Sequence, residues 1–190
     1  MSKNRKKDRD RSALAFDQHV RQALSLRRHL PDAVERLFLW GPMGSGKSTL
    51  GPLLAEHLNL PFVDLDEFIV ARQGKSIARY FEEEGEAAFR QTEARALRFL
   101  LRDKPRLVLA TGGGTPCFFQ QDVLMLRAGF CVYLKASPAV LAHRLFSEIS
   151  KRPLLKPWKT RDELSSFFER HLAEREPHYM RAHLIFPVVL

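Results

Sequence analysis

The chain has 190 residues, 45% of them hydrophobic and 28% charged, which suits one soluble α/β domain with a real core and a short appendage. No apolar run reaches the roughly 20 residues needed to span a bilayer, and the basic start lacks the apolar stretch of a secretory signal. Cys117 and Cys131 have no metal-type spacing and read as free thiols of a reducing cytoplasm, while a net charge of +9 favours anionic partners such as nucleotides or acidic metabolites.

Residues 1–12 (MSKNRKKDRDRS) carry six Lys/Arg and two Asp and are too polar to pack, so a disordered tail is expected. From Ala13 to about His29 the apolar residues Leu14, Val20, Leu24 and Leu26 recur with loose helical spacing. They predict a helix that ends before Pro31 and packs outside the main fold, with no readable role.

Leu37–Trp40 is a short apolar run of β character, and Gly41–Ser48 (GPMGSGKS) fits G-x-x-x-x-G-K-[ST] at every position. A buried strand delivering such a loop into a helix near Lys47 makes an anion cradle. Gly44 and Gly46 bend the backbone so that N–H groups point inward, and the helix offers its positive end. Lys47 would reach the β- and γ-phosphates of a nucleotide, the Ser48 hydroxyl would ligate Mg²⁺, and Thr49 would serve the α-phosphate.

The following helix is predicted to run over 47–59, with Pro52 in its first turn and Asn59 at its exit. FVDLD (62–66) reads as a second strand ending in two carboxylates. In an extended segment Asp64 and Asp66 face the same way, which suits a metal–water contact and a substrate hydroxyl; alternatively one of them caps the helix from Glu67.

Ser76 caps a helix that stops at Gly85, and another follows over about 86–101. There Phe89, Leu97 and Leu101 share an apolar stripe, and Arg90 and Glu93 support one another at i, i+3. Spacing alone favours a surface arginine. RLVLAT (106–111) is a buried strand running into Gly112, Gly113 and Gly114, whose entropic cost points to close approach of a ligand; the alternative is a merely flexible loop.

A short helix (122–128), a fourth strand (131–135) and a helix opened by Ser137-Pro138 come next. Residues 148–162 carry Lys151, Arg152, Lys156, Lys159 and Arg161 among two prolines, as a mobile lid over phosphates would. Asp162 is placed to cap the last long helix, with Pro177 two residues after Arg175 expected to kink or end it. LIFPVVL (184–190) reads as a fifth strand, which Pro187 confines to an edge or bulge.

In this order GPMGSGKST, the VDLD pair, SIARYFEEEGEAAFRQTE, the TGGG turn, RPLL and AEREPHY resemble shikimate kinase, a member of the nucleoside-monophosphate-kinase-like P-loop group, over roughly residues 36–190. The resemblance implies a doubly wound, five-stranded parallel sheet with a mobile lid at about 148–162. Residues 1–35 would form a basic tail plus helix outside that domain. It implies transfer of the ATP γ-phosphoryl group to the 3-hydroxyl of shikimate, with one Mg²⁺ per subunit.

Under that resemblance Lys47, Asp66 and Arg152 are the catalytic set. Gly44, Ser45, Gly46, Lys47, Ser48 and Thr49 hold the phosphates, with Arg152 closing on them and Arg144 stacking on the adenine. Ser48 and Asp64 hold the metal. Asp66, Arg90, Gly112, Gly113, Gly114 and Arg175 bind shikimate, the two arginines taking its carboxylate through their planar forks. This raises Arg90 and Arg175 from surface residues to expected ligands.

The family continues past the fifth strand into an adenine-contacting loop and a last helix, whereas this sequence ends at Leu190. Part of the adenine pocket is therefore expected to be missing or supplied by another chain. A cytoplasmic monomer with no membrane or nucleic-acid partner is expected. Two other readings stand beside it: a sister kinase for another polyol acid such as gluconate, and a non-catalytic ligand sensor whose basic arm binds nucleic acid.

Overall fold

The computed structural model describes residues 17–146, 155 and 157–188. Helix α1 covers residues 17–27. The order thereafter is β1 (Arg36–Trp40), α2 (Lys47–Leu58), β2 (Phe62–Asp64), α3 (Leu65–Gln73), α4 (Ile77–Asp103) and β3 (Leu107–Ala110). A 3₁₀ turn (Thr115–Cys117), α5 (Gln121–Ala128), β4 (Phe130–Lys135), α6 (Pro138–Phe146), α7 (Arg161–Tyr179) and β5 (Leu184–Pro187) complete it.

The five strands form one parallel sheet in the order β2-β3-β1-β4-β5. Parallel pairing needs helical crossovers that cover both faces, so the central strands read as unbroken apolar runs. Leu37–Trp40, Leu107–Ala110 and Cys131–Leu134 are all fully buried. β1 lies between β3 and β4, where the strand order reverses. Its carboxyl end is thus the crevice where open α/β sheets bind ligands, and the glycine-rich loop begins there.

Local signals placed most of these elements. Asn59 ends α2 in the left-handed region, and Gly85 interrupts α4 with φ 81° and ψ 167°, so two helices meet there as predicted. β5 is an edge strand that tolerates Pro187.

Three local expectations differ. Pro52 lies inside α2 beyond its first turn. Thr160, not Asp162, caps α7 through a reciprocal box with Glu163, because a β-region hydroxyl two residues earlier reaches the Glu163 N–H. α7 also runs through Pro177 to Tyr179.

The N-terminal helix is not peripheral. Ala23, Leu26 and Leu30, spaced i, i+3, i+7, are buried in the same core as the sheet, and the His29 ring meets Phe186 of β5 at 6.3 Å. Burying Leu26 alone contributes about 1.5–3 kcal/mol, which the loose apolar spacing of that segment understated. No helix among the described residues is long and apolar enough to cross a membrane. Both cysteines are free thiols. The basic tail and most of the expected lid, Arg152 included, lie outside the described residues.

Candidate active site

At the end of β1 the loop turns on Gly44 (φ 79°) and Gly46 (φ 99°), conformations that a side chain would strain. Lys47, buried at the first position of α2, folds back and donates to the carbonyls of Gly41 (2.7 Å) and Pro42 (2.8 Å). Its ammonium is thereby held inside the loop. Ser45 is fully buried, and its hydroxyl has no hydrogen-bond partner among the described residues. Ser48 and Thr49 are exposed at the mouth.

Ser48 Oγ donates to Asp64 Oδ2 at 2.6 Å, joining the first turn of α2 to the end of β2. Asp64 Oδ1 meanwhile accepts from the N–H groups of Asp66 (3.0 Å) and Glu67 (3.3 Å), so one carboxylate caps α3 and faces the phosphate loop at once. The strand stops at Asp64 for that reason, and Asp66 sits in the first turn of α3, not in an extended segment.

Asp66 has its pKa raised from 3.8 to about 6, by burial first and then by the negative charges of Glu93 and Asp64. Lys47 and Arg90 pull the other way. These couplings place the phosphate-loop lysine, both acids and the α4 arginine around one volume.

Arg90 and Glu93 lie on the buried face of α4. Arg90 Nη1 donates to Glu93 Oε2 at 3.1 Å, while Nε and Nη2 both donate to Glu86 Oε1 at 3.1 and 2.8 Å. Its guanidinium stacks 4.7 Å from the Phe118 ring centroid. Burial alone would lower its pKa, but Glu93 and Glu86 hold it above the ordinary value. Glu93 is fully buried, and its other oxygen accepts from Thr115 Oγ1 at 2.7 Å. Removing a carboxylate from water costs several kcal/mol, so these two partners must be retained together.

The glycine turn after β3 closes over these groups. A Cβ on Gly112 would lie 2.6 Å from Glu93 Oε1 and 2.8 Å from Asp66 Oδ1, and one on Gly114 only 2.5 Å from the Arg90 guanidinium. The glycines at these two positions are thus demanded by the protein's own buried side chains, where the sequence suggested a ligand. A Cβ on Gly113 would be in ordinary contact with the Met43 N, the Gly41 carbonyl and Arg175 Nη1, which brings the turn beside the phosphate loop.

Arg175, on α7, reaches the same place. Its charge acts on Glu93, Cys117 and Tyr179, and the Tyr179 hydroxyl donates to the Gly113 carbonyl. One turn earlier, His171 stacks on Phe167 at 5.2 Å. Burial, then Arg175 and Arg90, push its pKa down to about 4. Arg144 of α6 donates to the Gly44 carbonyl at 3.1 Å, on the flank of the phosphate loop.

The structure thus brings Gly44–Thr49, Asp64, Asp66, Arg90, Gly112–Gly114, Arg144 and Arg175 to one end of the sheet. Sequence reasoning missed Glu93 as a buried anchor, along with Glu86, Thr115, Phe118, His171 and Tyr179. A signal existed for Glu93, which is spaced four residues from both Phe89 and Leu97 on the apolar stripe; a carboxylate there must be paired. Nothing comparable marked the others.

Among the described residues no group of three or more His, Cys, Asp or Glu is placed to hold a metal. The Ser48–Asp64 pair instead offers hard oxygens beside a phosphate loop. That set suits Mg²⁺, which takes one or two protein oxygens and fills its octahedron with phosphate and water.

Comparison with known proteins agrees with this geometry. The shikimate kinase family model matches residues 43–187. Shikimate kinase from Azobacteroides pseudotrichonymphae is 43% identical over 153 residues, covering 80% of this chain and 89% of that protein. The 1.7 Å crystal structure of shikimate kinase from Bacteroides thetaiotaomicron superposes with a TM-score of 0.77 at 42% identity, covering 82% of this chain and 87% of that one. Shikimate kinase from Acinetobacter baumannii in complex with shikimate gives 0.74 at 34% identity, over 84% and 86% of the two chains.

Proposed function

The chain belongs to the shikimate kinase family, and from that premise we propose how its residues carry the ATP γ-phosphoryl group to the 3-hydroxyl of shikimate. It is an ATP-dependent kinase of a small carboxylated alcohol. The observation that carries the assignment of roles is the convergence of Asp66, Arg90 and Arg175 on the Gly112–Gly114 turn, against the loop that holds Lys47.

Phosphoryl transfer asks the protein for positioning and for positive charge around the transferring group, and for little covalent work. The loop amides from Gly44 to Thr49 cradle the phosphates. Lys47, already inside the loop, exchanges its two carbonyl partners for phosphate oxygens as they arrive. Ser48 and Asp64 would hold Mg²⁺, which when bound would offset phosphate charge.

Arg90 and Arg175 supply the two forks that anchor the substrate carboxylate, an arrangement a nucleoside acceptor would not need. Anchored there, the substrate turns a hydroxyl toward Asp66. A carboxylate poised at about 6 is ionised at neutral pH yet basic enough to take the hydroxyl proton as the oxygen attacks. Arg152, outside the described residues, is the cation we assign to the transferring group, where exclusion of water would keep ATP from hydrolysis. One chain carries the groups assigned here, so a monomer working without nucleic acid suffices.

Product analysis tests the reading. After incubation with ATP, Mg²⁺ and shikimate, phosphorus and proton NMR should place one phosphate ester on the 3-hydroxyl. An ester at another position, or none, would refute it.

A further inference from the structure

A cavity of about 260 Å³ opens on the seam between α3 and α4 and shares no lining residue with the site at the end of β1. α3 lends it Ile69, Arg72 and Gln73, spaced i, i+3, i+4. α4 lends Thr92, Arg95, Ala96 and Phe99, spaced i, i+3, i+4, i+7, so each helix turns one face toward it. Ile69 and Ala96 are buried and floor the cavity, whereas both arginines are exposed at its rim.

The lining carries two full positive charges and no acid. Among the described residues neither arginine has a carboxylate partner, whereas Arg79, Arg90 and Arg181 are each paired with one. Arg72 is held in place all the same. Its guanidinium lies 4.0 Å from the Phe99 ring centroid and 4.9 Å from that of Phe68, and the two rings stack at 6.0 Å. Stacking occupies the faces of the guanidinium and fixes its plane, which leaves the N–H edge for an acceptor. Arg95 stands one helical turn before Phe99, with about 5–6 Å between their Cβ atoms, so a second guanidinium reaches the same ligand.

We propose that this cavity binds a phosphate dianion, free or as a small monoester, between Arg72 and Arg95. Two forks arriving from two helices suit a tetrahedral group, which presents oxygens on several sides; a planar carboxylate presents one edge to one fork. Gln73 and Thr92 supply neutral donors for the remaining oxygens. The volume lies just below the range of drug-sized ligands and suits a few heavy atoms. A bound phosphate braces α3, which carries Asp66, against α4, which carries Arg90 and Glu93, without using any of those three residues. The site does not depend on the kinase reading.

Arginine side-chain NMR of the isotope-labelled full chain tests this. The Nε–Hε signals of Arg72 and Arg95, assigned from Arg72→Gln and Arg95→Gln, should shift saturably with inorganic phosphate or glycerol 3-phosphate. Saturation by inorganic phosphate alone identifies the free ion as the ligand; saturation by both admits an ester. Either substitution should weaken binding, read on the remaining arginine, about tenfold or more, the scale of one charge-assisted contact. Arg98→Gln, on α4 but outside the lining, should leave it unchanged. The same shifts should persist in Lys47→Ala, which separates this site from the phosphate loop. Shifts that never saturate, that sodium chloride reproduces at equal ionic strength, or that keep wild-type affinity in Arg72→Gln and Arg95→Gln would overturn the proposal.

Discussion

Arg90 Nη1 and Glu93 Oε2 lie 3.1 Å apart, and their side chains are 9% and 0% exposed. A buried pair of this kind adds little net stability, but losing one partner strands a charge at a cost of about 3–5 kcal/mol. Glu93→Ala should lose stability on that scale in urea unfolding and raise the KM for shikimate, because Arg90 loses the contact that aims it. Glu93→Gln should lose less of both. Equal shikimate KM in wild type and both variants would show that Glu93 does not position Arg90.

Arg90→Ala and Arg175→Ala separate substrate from nucleotide. Each removes a charge-assisted contact worth about 1.5–3 kcal/mol, so the KM for shikimate should rise about ten- to a hundredfold while the KM for ATP stays within about twofold. If both KM values rose together in either variant, that arginine would not be a carboxylate ligand.

How much of this was legible beforehand follows from where each constraint lives. The phosphate loop was readable because its physics is local: an apolar strand, glycines at fixed offsets and a lysine at the helix start lie within thirteen consecutive residues. The parallel sheet was readable from its unbroken apolar runs. Arg90 was not readable from spacing, since an i, i+3 pair with Glu93 looks the same on a surface as in a core. Only the close approach of Gly114, 24 positions away, reveals its burial. α1 was misjudged for a similar reason: Ala23 and Leu26 are buried in the sheet core, which the periodicity of the segment cannot show.

Asp66 makes the site sensitive to pH. Its native pKa of about 6 exceeds the ordinary 3.8, so the folded protein holds that proton more tightly than the unfolded chain does. The stabilising contribution is full below about 4 and is lost as pH rises through about 6. Asp66→Asn should therefore be more stable than wild type above that window, by about 2–3 kcal/mol at most, and nearly equal to it in acid. Denaturant midpoints measured across the range test this; an unchanged difference at every pH would contradict it. In the wild type kcat/KM should rise with pH through about 6, and in Asp66→Asn kcat should fall about 10²- to 10⁴-fold.

Asp64 carries two duties that separate by substitution. Asp64→Ala loses the α3 cap, worth about 1 kcal/mol, and one oxygen of the proposed Mg²⁺ site. Asp64→Asn keeps a cap but not the charge, so it should stay near wild-type stability while needing more Mg²⁺ for half-maximal rate. A Mg²⁺ dependence identical to wild type in both variants would remove Asp64 from the metal site.

Lys47→Ala should keep its fold by circular dichroism, since alanine suits the first turn of α2 and the carbonyls of Gly41 and Pro42 that Lys47 binds can take water in the space it leaves, yet lose turnover almost entirely. A kcat near wild type would refute the phosphate-loop reading.

The most direct test is steady-state ADP release by the purified chain with ATP and Mg²⁺, with shikimate or gluconate as acceptor. Release that depends on shikimate, with none above background on gluconate, is the predicted result. Turnover of gluconate without shikimate, or no acceptor-dependent release with either, would contradict the account.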